Sequence, residues 1–141
     1  MTDPPATPVT GGGLVRTRLM AAGAAVLTVV VGLGVRAGVE GDIAKYAGDS
    51  LYTTLVYALV VLAAPRVKPL TAAWVALGIS WAVEFLQLSG VPAELSRRSV
   101  VARLVLGSTF HTPDLFWYAV GAALGWFAHA AGRGQPAKRR T

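Results

Sequence analysis

Trp81-Ala82-Val83-Glu84-Phe85-Leu86-Gln87-Leu88 sets an acid and an amide inside an otherwise apolar run. No ionisable side chain lies between Lys68 and Glu84. A helix that starts near Leu70 must continue to about Ser89 to cross ~30 Å of hydrocarbon at ~1.5 Å per residue. Glu84 therefore falls inside the span. An acid there is costly, and it marks either a functional site or a specific partner.

The composition fits a membrane domain. Of 141 residues, 54% are hydrophobic and 14% charged, too apolar a balance for a soluble domain of this size. The apolar residues fall in long uncharged runs and not in alternating or 3.6-residue patterns. The fold class expected is all-α: one polytopic bundle of four transmembrane helices. With no cysteine, the chain has no disulfide, thiol nucleophile, iron–sulfur cluster or thiolate zinc site. The net charge of +6 gathers at the ends and in the loops. Orientation in a membrane explains it more simply than nucleic acid does, and no nucleic-acid partner is expected.

Outward from Glu84, the other spans follow. Residues 1–13, with Pro4, Pro5, Pro8 and Gly11-Gly12-Gly13, read as a disordered tail. Arg16 and Arg18 precede the uncharged run Leu19–Val35, which has the outline of a signal peptide. The run is long for that role, and Arg36 stands where small residues are needed, so the expectation is a retained first helix over 17–36. The second span is placed at 45–64, the third at 70–89 and the fourth at 113–132, completing a domain over 14–132. Pro65 and Pro69 bracket the turn between spans two and three. Thr112-Pro113-Asp114 is a good helix start, with a hydroxyl cap, a first-turn proline and an acid at the positive end. Residues 133–141 form a basic tail that contacts anionic lipid. Between spans three and four, Val100, Val101, Leu104 and Val105 share a stripe beside Arg97, Arg98 and Arg103. That segment is too short and charged to span, and it is expected to be amphipathic on the surface or re-entrant.

With four spans, both termini share a side. Arg16, Arg18, Arg66, Lys68, Arg133, Lys138, Arg139 and Arg140 lie there, against Arg36, Lys45, Arg97, Arg98 and Arg103 opposite. The bias places both termini in the cytoplasm, in the cytoplasmic membrane. Arg36, Asp49, Tyr52, Glu84, Gln87, Asp114 and Tyr118 then converge at the outer end of their helices, with Arg97 in the loop above. Together they form a binding site for a polar or phosphate-bearing group.

Other readings stand beside that one. Glu84 faces the negative end of its own helix, and an arginine of the third loop, or Arg36, could hold it in a purely structural ion pair. Glu84 or Asp114 could act as a general acid–base. Asp114 could be only a helix cap. Tyr52, Tyr118, Trp74, Trp117, Trp126 and Phe127 fit interfacial aromatics. His111 could be a base or ligand beside Asp114, but a lone loop histidine is usually neither, and His129 reads as a residue that packs or contacts water. Ser80, Ser89 and Ser99 have no histidine partner. No metal-ligand spacing or phosphate loop occurs, and neither metal nor cofactor is expected. Gly121 and Gly125 allow close helix approach, within the chain or in a homo-oligomer or membrane complex.

Gly48-Asp49-Ser50-Leu51-Tyr52, Val83-Glu84-Phe85-Leu86-Gln87-Leu88, Arg97 with Ser99, Leu104-Val105-Leu106-Gly107, Phe110, and Asp114-Leu115 with Tyr118 and Gly121 resemble, in order and spacing, DUF2809, a family of small bacterial membrane proteins. The resemblance runs from about Arg36 to Gly125. It departs at Ser99, where threonine is usual, and at Ala102 and Thr109, where glycine is common. It implies a multi-pass membrane protein without a defined biochemical function. Some members carry a ribosome-maturation label, but this chain has no RNA-reading module. The order Glu-Phe-Leu-Gln, arginine, Asp is also similar to VanZ-like proteins, which implies a role in the cell envelope. The function expected is a non-enzymatic protein that binds a polar lipid or amphiphile at the outer membrane face. A membrane enzyme acting on a lipid-linked substrate, and a structural subunit, are the alternatives.

Overall fold

The computed structural model describes residues 11–107 and 111–133. In order, the elements are α1 (Gly11–Gly38), α2 (Asp42–Ala63), α3 (Pro69–Leu86), α4 (Val91–Arg98), α5 (Val100–Leu106) and α6 (Thr112–Arg133). A single 3-10 turn, Gln87–Ser89, prolongs α3. Among the described residues the fold is all-α. α1 begins at Gly11, so Gly11-Gly12-Gly13 belongs to the helix and not to a tail. The remainder of the expected N-terminal tail and residues 134–141 of the basic tail lie outside the described residues.

Three helical stretches are long and apolar enough to cross a membrane: Gly13–Gly38, Asp42–Ala63 and Pro69–Ser89. α6 is as long as α2, at 22 residues. It does not reach the same apolarity, because Asp114, His129, its glycines and its indole and phenol rings dilute the aliphatic residues.

α2 is the central helix. It packs against α1, α3 and α6, and α3 packs against α6 in turn. The short α1–α2 and α2–α3 connections make these neighbours antiparallel. The C-terminal ends of α1 and α3 therefore gather with the N-terminal ends of α2 and α6. α4 and α5 pack on each other at that same end, after the turn that closes α3.

Side-chain size is distributed inside out. Ala72, Ala76, Ser80 and Glu84 recur every four residues on α3, and all four are fully buried. Leu19, Leu27, Leu70, Trp74, Phe116 and Phe127 are 61–68% exposed. Water would penalise such a surface, whereas lipid removes the penalty and leaves close packing of small residues to hold the helices together. Hydroxyls on α2 bond across to the neighbouring helices. Thr53 Oγ1 donates to Ser80 Oγ at 2.9 Å, Ser50 Oγ to the Trp117 carbonyl at 3.1 Å, and Thr54 Oγ1 to the Gly121 carbonyl at 3.2 Å.

The Gly121/Gly125 stripe is consumed by this packing. A Cβ on Gly121 would collide with the Ser50 carbonyl oxygen, and one on Gly125 would come 2.7 Å from Tyr57 Cγ. The face is filled by α2 of the same chain, which withdraws it as a surface for a second copy.

The segment after α3 forms two helices and not one. Ser99 breaks them apart and accepts the Ala102 N–H at 3.3 Å as the cap of α5. Leu95, Val100, Val101, Leu104 and Val105 are exposed, as are Arg97, Arg98 and Arg103, which gives the pair an amphipathic outer surface.

Gly121→Ala should lower stability by about 1–3 kcal/mol, because the obstacle is backbone and cannot rotate away. Gly78→Ala, with open space around its Cβ, should be neutral or stabilising by up to ~1 kcal/mol through helix propensity. Thermal unfolding of both variants in detergent checks the contrast.

Candidate functional site

Glu84 is the best-sequestered polar side chain at the gathered ends, with 0% exposure. The sequence pointed to an arginine as its partner, and the structure supplies neutral donors. The Tyr118 hydroxyl donates to Oε2 at 2.9 Å, and the His111 backbone N–H donates to Oε1 at 2.7 Å. Each carboxyl oxygen thus has a donor, which is what the burial of such a group requires. The bonds tie the end of α3 to the start of α6. Tyr118 is therefore no interfacial aromatic: it is buried, at 6% exposure, and its ring lies 6.0 Å from that of Tyr52.

Asp114 is one turn before Tyr118 on the same face. It does more than cap α6. Its Oδ1 lies 3.3 Å from Lys45 Nζ and 3.3 Å from His111 Nδ1. Neither contact has hydrogen-bond alignment, so Oδ1 remains without a directed donor. Asp49 approaches Asp114 closely enough for their carboxyl groups to hydrogen-bond, and Asp49 Oδ2 also lacks a donor. Three carboxyl groups, on Asp49, Glu84 and Asp114, thus cluster with one lysine.

An open groove of about 620 Å³ adjoins the cluster, between α1, α2, the end of α3 and the α5–Gly107 segment. Arg36, Lys45, Asp49, Tyr52, Gln87 and Tyr118 lie along it, among aliphatic side chains such as Leu33, Leu55 and Val105. Arg36 is exposed and has no ion-pair partner among the described residues. Five of the eight residues singled out from sequence, Arg36, Asp49, Tyr52, Gln87 and Tyr118, thus line one groove. Glu84 and Asp114 lie behind its wall.

Arg97 does not join them. Its side chain is 76% exposed and lies 3.7 Å from Glu94, while Arg98 takes the other Glu94 oxygen at 3.1 Å. Ion pairs three and four residues apart on one short helix satisfy both arginines locally. Gln87 also has a structural task. Its Nε2 donates to the Leu106 carbonyl at 2.6 Å, and Ser96 Oγ donates to the Gly107 carbonyl at 2.8 Å. A Cβ on Gly107 would come 2.6 Å from Gln87 Nε2, and its φ of +67° favours glycine as well. These bonds dock α5 over the groove.

Sequence reading missed two contributors. Lys45 precedes Asp49 by four residues on α2, a spacing that shares a face, and that signal was available. The His111 amide was not, because every non-proline residue carries one. At the opposite end, His129 Nδ1 lies 2.7 Å from the Tyr57 hydroxyl, an internal contact.

A family model described as "Protein of unknown function (DUF2809)" matches residues 39–122. The match takes in Lys45, Asp49, Glu84, Asp114 and Tyr118 and leaves α1 outside. No curated protein and no solved structure matches the chain.

Glu84→Gln should keep most of the stability, since its carbonyl oxygen accepts from His111 and its amide can donate to the Tyr118 oxygen. Glu84→Leu strands both donors and should cost about 2–6 kcal/mol, at ~1–3 kcal/mol per unsatisfied buried group. Tyr118→Phe should fall between them. Equal melting temperatures for all three in detergent would remove Glu84 as a strut.

Proposed function

We propose, on the premise that the chain belongs to the DUF2809 family, that the protein binds a polar lipid or other amphiphile in the groove beside Asp49. The observation that carries this reading is the composition of the groove. Its lining is mostly aliphatic, with Arg36, Lys45 and Asp49 among the few polar residues along it. Ligand sites that are mostly apolar with a few convergent polar groups suit molecules of the same mixed character.

In this reading α6 is the fourth span. Its 22 residues give ~33 Å at ~1.5 Å per residue, enough for the hydrocarbon core. It lies antiparallel to α3 and runs among helices that qualify as spans themselves. Both termini face the cytoplasm by the distribution of lysine and arginine. The groove then opens at the outer face of the cytoplasmic membrane, and the α4–α5 pair lies on that surface with its exposed leucines and valines in the interface.

The enzymatic alternative has less support. A general acid–base must come within reach of a substrate proton, and both Glu84 oxygens are occupied inside the bundle. Asp114 is 4% exposed. For the structural-subunit alternative, the glycine face that suited assembly is already filled by α2.

Gly48 lines the groove and has nothing within 4 Å of a built Cβ. Gly48→Trp should therefore fill the groove without disturbing helix packing. Native mass spectrometry of detergent-extracted protein should find an amphiphile on the wild type that is lost in Gly48→Trp at unchanged melting temperature. Arg97→Ala should retain it. Equal occupancy in wild type and Gly48→Trp would sink the reading.

A further inference from the structure

We infer that the occupant of the groove is an anionic amphiphile, its headgroup oxygens held by Arg36, Lys45 and the Tyr52 hydroxyl. The inference rests on the groove as a binding site and specifies the charge of what fills it.

Most polar groups along the groove already have partners within the fold. Thr28 Oγ1 donates to the Ala24 carbonyl at 2.6 Å, and the Tyr118 hydroxyl donates to Glu84 at 2.9 Å. Gln87 Nε2 donates to the Leu106 carbonyl, and its Oε1 is buried. Asp49 lies against Asp114 with its Oδ2 buried, so its carboxyl is turned to that partner and not to the groove.

Three groups are left, and each can donate. Arg36, in the last turn of α1, is exposed and has no ion-pair partner among the described residues. Lys45, near the start of α2, lies 3.3 Å from Asp114, yet its side chain is 42% exposed. An ammonium carries three N–H donors, so it can serve a second anion. Tyr52 lies ring to ring with Tyr118, and its hydroxyl has no hydrogen bond among the described residues. Glu40 and Asp42, which separate the two cations in sequence, are exposed, pair with neither and do not line the groove.

The unfilled polar capacity of the groove is therefore cationic and rich in donors. It matches a headgroup of acceptor oxygens, a phosphate or carboxylate with no ammonium of its own. A guanidinium holds such oxygens with two parallel hydrogen bonds, and the lysine adds a point charge. A zwitterionic headgroup would bring a third cation to two that are already there. The remaining lining separates an amphiphile from a free anion. Leu33, Leu51, Leu55 and Val105 flank the same space, and a soluble phosphate would leave them uncovered.

The test compares phosphatidylglycerol and phosphatidylcholine with matched acyl chains, and glycerol phosphate without chains, on the full chain in an uncharged detergent. Retention in native mass spectrometry and thermal shift are read together. The glycerol lipid should bind roughly tenfold tighter than the choline lipid, the scale of one charge-assisted hydrogen bond. Glycerol phosphate should not be retained. Arg36→Gln should close the gap between the lipids, and Arg36→Lys should keep most of it. Arg97→Gln removes an equal charge outside the groove and should leave the preference unchanged. Choline lipid held as tightly as glycerol lipid by the wild type would overturn this inference and leave amphiphile binding intact. So would a preference that survives Arg36→Gln, or one that falls equally in Arg97→Gln. Glycerol phosphate retained as well as the lipids, or no retention or shift with any of the three, would overturn both.

Discussion

A carboxyl group stripped of water has to find its donors within the fold, and Glu84 sets that requirement at the centre of this protein. Its answer is the Tyr118 hydroxyl and the His111 amide. Meeting it fixes the rotation of α6 against α3 and the position at which α6 begins. Asp114 follows from that, since it shares a face with Tyr118 one turn away. Asp114 in turn brings Lys45 and Asp49 of α2 toward the same point. One buried acid thereby organises three helices at the end where the groove opens. Neutral donors suit the task. They satisfy the oxygens without burying a second charge, and so avoid the desolvation cost of an ion pair.

Along the bundle, a different constraint operates. With large aliphatic and aromatic side chains turned outward, the interior is left to alanine, serine, threonine and glycine. Cohesion comes from short interhelical distances and from hydroxyls that bond across them, as Thr53 does to Ser80 and Ser50 to Trp117. The two regimes meet on α3. Ala72 and Ala76 belong to the close-packed part, Ser80 adds a bond across to α2, and Glu84 ends the series as the clamp. α1 departs from this scheme. It carries many exposed aliphatic side chains and only a few buried small ones, and its main neighbour is α2.

Much of this was legible in the sequence, for identifiable reasons. Long uncharged intervals between basic residues mark helices that lipid can accept. An acid within such an interval stands out, because few environments tolerate it. The alternation of short loops brings one set of helix ends together, and Asp49, Glu84, Asp114 and Tyr118 follow. Partner choice was not legible. It depends on helix rotation, which single-residue spacing does not set. Arg97 shows the opposite error: as a cation near an acidic cluster it looked like a ligand for that cluster, while Glu94, three residues back, was the nearer claimant. Apolarity also ranks α6 below its neighbours, because a helix packed by glycine and aromatic residues loses hydropathy without losing length.

The groove has walls of unlike origin. α2, the end of α3 and the α5–Gly107 segment lie within the stretch that the family pattern matches, and α1 lies before it. α1 also makes no contribution to the Glu84 clamp or to the glycine contact between α2 and α6. Residues on it can change without disturbing either. Such a division separates stability from the shape of the groove: the α1 residues that line it, such as Leu33 and Arg36, can change over a core whose α1 member, Ala21, packs elsewhere, with Tyr57 and Val61.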